Sequence, residues 1–372
     1  MSASGQSKVS VLQALRDKCL TVASPDDATA VVRYLDTRSG GIVFSSTGGI
    51  VKGHTIKQMF SGLVVAADHR ERDKEEKPAT PQEPIALPSL AGGLLAALRP
   101  EDALKQFIAG QLDAGAHFGV VPGRVIRPED SASLKALIER SNTLDQGNVI
   151  VRVPISYTWL RDGNVPQLIA LLARSKHPIA LSPADRRDPM EHKGVPAGLR
   201  KVIDEYGNMI VVWKTDLAGI DALARGGLAA AVGVVASLRH SSPPGGFGEK
   251  LNKQDRTPQI FLPQLLRYVR ASHMHDEWFA SAKPWTCDCG ACCGRPVDRF
   301  TGSSEDLREA AIHNALAVTS LHQSIVQVPA GNRPATWRGK LEDALAAHER
   351  LALHIDRKMP FPAPLQFWLE NT

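Results

Sequence analysis

A (β/α)8 barrel with a small helical subdomain behind it is the α/β fold this sequence predicts, on three observations. Short continuous apolar runs alternate with helical stretches through roughly the first two-thirds of the 372 residues. No G-x-G-x-x-G follows the first such run, which argues against an open dinucleotide-binding sheet. Near the C-terminal end, four of the five cysteines crowd into one stretch, PWTCDCGACCGR.

The expected strands are GIVFSS (41–46), LVVAAD (63–68), HFGVV (117–121), NVIVRVPIS (148–156), PIALS (178–182), MIVVWKTD (209–216) and AAVGVVASLRH (230–240). Runs of this kind, apolar throughout rather than alternating, suit strands buried on both faces of a parallel sheet. Helices are expected between them. RPEDALKQFIAGQLDAG opens on Pro100 with acids in its first turn and closes on Gly115, as helix ends favour. EDSASLKALIERS, VPQLIALLARS, PAGLRKVIDEYG and LAGIDALARGG repeat the pattern. Alternation sustained seven or eight times favours a closed barrel. The charged, proline-rich stretch 69–84 interrupts it as a solvated insertion.

After His240 the character changes. A loop, SSPPGGFGEKLNKQ, leads to an expected helix around QIFLPQLLRYVRAS, then to the cysteines and two long helical stretches. In the first of these, Ser303 and Asp306 have capping-box-like spacing. The second is stopped by Pro360 and Pro362. The division expected is a barrel over 1–280 and a helical subdomain over 281–372.

The 43% apolar content allows a substantial core. No uninterrupted apolar run approaches the ~20 residues of a membrane span, and the N-terminus lacks a secretory h-region. A cytoplasmic protein is expected, without membrane association, and a homodimer is left open. The net charge of +5 is unevenly spread: between Arg239 and His275 stand Arg239, Lys250, Lys253, Arg256, Arg267 and Arg270 against Glu249 and Asp255. That segment is either a solvated basic face or a contact for a phosphate backbone.

In a cytosolic chain, clustered cysteines are metal ligands or redox groups more often than disulfides. Cys287, Cys289 and Cys292 have C-x-C-x-x-C spacing, which turns three sulfurs toward one point. A zinc ion needs a fourth ligand. His313 and His322 lie nine residues apart on the next helix, hence on opposite faces at ~3.6 residues per turn. Only one can meet the thiolates, and His313 is nearer. Cys293 competes, but follows Cys292 directly and should point elsewhere. A Cys289–Cys292 redox pair lacks the strand–helix context it needs. Closed Cys3His coordination leaves no position for substrate, so this Zn2+ would be structural.

These residues carry a resemblance. CDCGAC followed by IHNALAVTSL resembles the C-x-C-x-x-C…H-N signature of the tRNA-guanine transglycosylases. STGGIVKGHT (46–55) is similar to that family's early G-x-V-K-G-x-T segment, and WKTDLAGIDALARGGLAAAVGVVASLRH to its late strand–helix–strand. The resemblance implies a barrel with a zinc subdomain near its C-terminal end. It also implies base exchange on a nucleoside by aspartate attack at C1′, with a second aspartate in D-S-G-G-F moving protons. This chain has no D-S-G-G-F, and AAVGVVASLR holds no carboxylate where the family places its nucleophile. Neither alanine nor glycine can form a covalent glycosyl intermediate.

Any surviving chemistry must use other groups at the C-terminal ends of strands. Asp68, His69, Arg70, Asp185, Asp216, Arg239 and His240 occupy such places. Asp68 and Asp216 are the expected catalytic pair, each with a helix cap or salt bridge as its alternative use. Trp159 and Trp213 are set for base stacking or for core packing, and His117 for a backbone contact. The functional expectation is a diverged transglycosylase-like protein acting on a nucleobase in tRNA or DNA, as in queuosine-type deazaguanine modification. One alternative is a non-catalytic nucleic-acid-binding relative. Another is an unrelated barrel hydrolase, whose carboxylates would converge without an aromatic beside them.

Overall fold

The computed structural model describes residues 10–69, 77–87, 99–144, 147–243 and 255–372. Eight parallel strands form one sheet: β1 (Lys18–Ala23), β2 (Gly40–Phe44), β3 (Val64–Ala67), β4 (Gly119–Pro122), β5 (Val149–Ser156), β6 (Ile179–Ala184), β7 (Ile210–Trp213) and β8 (Ala229–Gly233). Their order is β3-β2-β1-β8-β7-β6-β5-β4. At the seam between β3 and β4, His117 stands in for a ladder. Its backbone N–H donates to Val65 O at 2.7 Å, and its Nδ1 accepts from Val65 N–H at 3.0 Å. The expected backbone role of His117 is therefore the closure of the barrel.

Every strand of this sheet but one was legible in the sequence. The exception is β1, KCLTVA, whose lysine and cysteine break the apolar run. The segment 46–55 thus follows the second strand. Alternate residues fill the interior: Leu20, Val22, Val43, Val64, Ala66, Val120, Ile150 and Val211 share it with Trp213, which is accommodated by Ala180, Ala229 and Ala231. Helix α1 (Val11–Leu15) closes the N-terminal end with Val11 and Leu15. The outer faces of the strands pack against the helices, so both faces are buried and the runs read as continuously apolar.

Helices α2 (Pro25–Val31), α3 (Gly53–Met59), α4 (Pro100–Asp113), α5 (Ser131–Ser141), α6 (Val165–Leu172), α7 (Val195–Tyr206) and α8 (Ala218–Ala224) follow β1 to β7 in turn. The chain leaves β8 through the short α9 (Ala236–Arg239). It then builds the hairpin β9 (Gln259–Leu262) and β10 (Arg267–Arg270), the turn α10 (Ala271–His273), and the hairpin β11 (Thr286–Cys287) and β12 (Arg295–Pro296). The helices α11 (Ser304–Val326), α12 (Arg333–His354) and α13 (Ala363–Glu370) end the chain.

One expectation is corrected here. The stretch QIFLPQLLRYVR is a β-hairpin, not a helix: Pro263 turns the chain and Leu266 takes a φ of +49°. The helical stretches after the cysteines form, with the Cys3His cluster, the expected C-terminal subdomain, and they pack closely on the barrel. Helix α11 packs against α2, α8 and β1, filling the ring position that follows β8. Helix α12 is tied in by Trp337, whose indole N–H donates to Asp221 at 2.9 Å, while Arg200 grips the same carboxylate. The C-terminal helices and the hairpins of 255–300 thus stand in close contact with the barrel and with one another. Among the described residues, no helix is long and apolar enough to cross a membrane.

Candidate metal centre and barrel mouth

The hairpin β11–β12 carries Cys287 and brings Cys289 and Cys292 round one turn. Helix α11 delivers His313 from the other side. Its Nδ1 lies 3.6 Å from Cys287 Sγ, 3.4 Å from Cys289 Sγ and 3.2 Å from Cys292 Sγ. A tetrahedral ion with sulfur at ~2.3 Å and nitrogen at ~2.0–2.1 Å separates those atoms by about 3.5 Å. All four donor atoms lie within 4.8 Å of one another, so the set can hold a metal ion. The outer nitrogen of His313 faces Phe261 O at 2.8 Å, which fixes the tautomer that leaves Nδ1 free to ligate. Arg299 points Nη2 at Cys292 Sγ from 3.6 Å.

The competing groups turn away, as their positions in the sequence required. Cys293 is exposed, with a φ of +51°. The His322 ring meets Asp17 O at 3.0 Å, and its burial lowers its pKa to about 4. Asn314, beside the ligand, binds the hairpin to the barrel. It accepts from Phe261 N–H at 2.8 Å and donates to Val234 O and Gln259 O, both at 2.9 Å. The H-N pair thus offers a ligand with one residue and staples backbone with the other.

At the C-terminal end of the barrel the structure separates the two expected aspartates. Asp68, just past β3, is fully buried. Arg152 Nη1 lies 3.1 Å from its Oδ1, Lys214 Nζ 2.5 Å from its Oδ2, and Trp213 Nε1 donates to Oδ2 at 3.3 Å. Burial alone would raise its pKa, but Arg152 and Lys214 outweigh it and hold the group at about 2. Asp68 thus sits inside the barrel rather than at its opening. Trp213 and Trp159 are also fully buried, and Trp159 donates to Arg127 O at 2.8 Å, so both are core residues.

Asp216, past β7, stays partly open to solvent. Arg239 Nε lies 2.7 Å from its Oδ1 and His240 Nε2 3.4 Å from the same atom. Both partners come from the turn after β8, which folds tightly because Gly233 has no side chain. A Cβ there would lie 2.3 Å from the Leu238 carbonyl carbon. Asp188, from the loop after β6, completes the group, its own Oδ1 accepting from Met190 N–H at 3.0 Å. One donor atom each from Asp188, Asp216 and His240 lies within 4.8 Å of the others.

The electrostatics of this trio divide its protons. Burial, then repulsion from Asp216, raises Asp188 to about 7. Burial works against ionisation of Asp216 too, but Arg239 and His240 more than offset it and its pKa is lowered. Burial would depress His240, yet the carboxylates of Asp216 and Asp188 raise it. One carboxyl therefore holds a proton near neutrality while its neighbour is ionised, which is how paired acid and base groups are separated.

Sequence reasoning missed Asp188, whose only signal is its place three residues beyond Asp185 in one strand-end loop. Asp185 itself pairs with His192 Nε2 at 2.8 Å, and the His192 ring stacks on Tyr157 with centroids 3.8 Å apart. His69 packs edge-on against Phe107, and Arg70 lies outside the described residues.

The described basic residues of the segment stand in different surroundings. Arg239 is buried, with its guanidinium 3.7 Å from the Tyr268 ring and a hydrogen bond to Gln259 Oε1. Arg270 is engaged with Asp255 and Thr257 O, Arg267 is half-buried, and Arg256 is exposed. Lys250 and Lys253 lie outside the described residues. Facing the carboxylate rather than solvent, Arg239 is part of the mouth and not of a phosphate-binding surface.

No family model matches the chain, and none of the curated proteins matches it. Among solved structures, the chain is similar to the carboxyl transferase domain from Rhizobium etli pyruvate carboxylase, with a TM-score of 0.31 and 10% sequence identity. The match covers 91% of this chain and 55% of that one, so the chain spans about half the length of that structure.

Proposed function

We propose that the chain is an enzyme that exchanges a nucleobase in tRNA or DNA at C1′, as the tRNA-guanine transglycosylases do, with a structural zinc ion at Cys287, Cys289, Cys292 and His313. The cytoplasm is its proposed compartment. The observation that carries the reading is the Asp188–Asp216–His240 trio at the strand ends, partly open to solvent and with divided protonation. Glycosidic exchange needs one ionised carboxylate and one group that can protonate what leaves.

In this reading an oxygen of Asp216 bonds to C1′ as the base departs with the electron pair of the C1′–N bond. Asp188 gives that base its proton. The incoming base then displaces the carboxylate and returns a proton to Asp188. His240 and Arg239 hold the charge of Asp216. The Tyr157–His192 stack, whose histidine lies on the loop that carries Asp188, supplies aromatic surface, which favours a nucleobase over the plain barrel hydrolase. Asp68, sealed by Arg152 and Lys214, supports the barrel and does not touch substrate.

Labelled guanine, or a labelled 7-deazaguanine, offered with tRNA and with DNA tests the proposal. Incorporation by the wild type and its loss in Asp216→Ala support it. No incorporation into either acceptor overturns it. Retained salt-sensitive binding would then leave the non-catalytic relative as the reading.

A further inference from the structure

A cleft of about 690 Å³ opens beside the metal centre, between the β9–β10 turn, the segment leading into β11, and helix α12. Leu262 and the indole of Trp285 contribute apolar surface to its walls. Its polar lining includes Gln264, Lys283, Arg350 and His354 and contains no carboxylate. Lys283 and Arg350 are exposed, and neither makes an ion pair among the described residues. His354 Nε2 meets Lys283 O at 2.9 Å, which ties α12 to the opposite wall. Cys287 and His313 line the same cleft, so the metal centre fixes its shape.

We propose that this cleft binds a short single-stranded stretch of nucleic acid, with one base on Trp285 and neighbouring phosphates on Lys283 and Arg350. Cations without counter-charges beside an aromatic ring are the two elements single strands require, since phosphates supply the affinity and a base can stack without sequence preference. An acidic peptide would use the cations and leave the indole face idle. One strand joins the cleft wall to the barrel mouth. Strand β9 runs from Gln259, the partner of Arg239, to Leu262 in the cleft wall, a path of roughly 10 Å at the rise of a strand. The inference shares only its class of partner with the reading above.

Anisotropy of a labelled 12-nucleotide single strand, as DNA and as RNA, tests it on the full chain with its metal. Lys283→Ala with Arg350→Ala should weaken binding at least tenfold at low salt and flatten the salt slope by about 1 for each phosphate no longer neutralised. Trp285→Ala should weaken it about 5- to 100-fold with the slope unchanged, and Trp285→Phe should restore most of that affinity. Metal content, measured on each variant, separates weaker binding by a folded cleft from collapse of the cleft itself. Binding is read with no exchanging base present, so a failure of base exchange leaves this result standing. The cleft assignment is overturned if variants that keep their metal bind the strand as tightly as wild type. It is equally overturned if polyglutamate binds as well as the oligonucleotide and ignores Trp285.

Discussion

Asp68 and Asp216 end stretches of similar sequence logic, a buried strand followed by an acid, yet their surroundings give them opposite uses. Arg152 rises from the middle of β5 into the barrel interior, where only a carboxylate can balance it. Asp68 is that carboxylate, with Lys214 as a second cation. Removing one partner of a buried ion pair costs about 3–5 kcal/mol, so Asp68→Ala should lower the urea midpoint strongly. Because the folded-state pKa lies below the unfolded value, this stabilisation is present above about pH 4 and lost as pH falls toward 2. Asp216→Ala also leaves the buried Arg239 without its carboxylate and should cost stability as well, but it removes activity, which Asp68→Ala does only by unfolding. Acid titration of unfolding for both variants, beside the exchange assay, checks the contrast.

Asp188 behaves in the reverse sense. Its folded pKa of about 7 lies above the unfolded value, so the stability it contributes is complete below about pH 4 and declines as pH rises to 7. Asp188→Asn should therefore flatten stability over that window while lowering base exchange by about 10²- to 10⁴-fold, the range for loss of a positioned acid. Equilibrium unfolding at pH 5 and pH 8, run beside the exchange assay, measures both effects.

The hairpins between β8 and α11 show at the scale of elements what the proposed metal would do. Ile260, Leu262, Val269, Met274, Trp278, Cys292, Val297 and Phe300 form a small core of their own, closed by Ala347 and Leu351 of α12. A core of this size inside short, irregular strands gains most of its order from cross-links. Removing the metal with a chelator should open 255–300 to protease and hydrogen exchange while the barrel stays folded. Asn314→Ala should loosen the same hairpins with the metal still bound. Hydrogen exchange by peptide distinguishes the two effects.

The same region marks the limit of what the sequence disclosed. Ligand spacing is local, so Cys287, Cys289, Cys292 and the facing His313 could be read directly. The hairpin at 259–270 could not, because its backbone partners, His313 and Asn314, come from a helix some fifty residues later. The trio of Asp188, Asp216 and His240 was hidden for the same reason. Each member stands in a different strand-end loop, and only barrel closure brings them together.

For the whole molecule, eight strands, their helices and the metal module form one packed body. Helix α11 serves both the barrel ring and the metal. The mouth and the cleft lie at two ends of β9. This arrangement makes the trio the centre of the account, with Asp188 as acid and Asp216 as the ionised partner. The most direct test is the rate of labelled guanine incorporation into tRNA and DNA from pH 5 to pH 9, for wild type and Asp188→Asn. The expected result is a wild-type rate that falls as pH rises through about 7, when Asp188 loses its proton, and a variant whose low rate no longer shows that fall. Wild-type incorporation that stays level across pH 7, or matches that of Asp188→Asn, would contradict it.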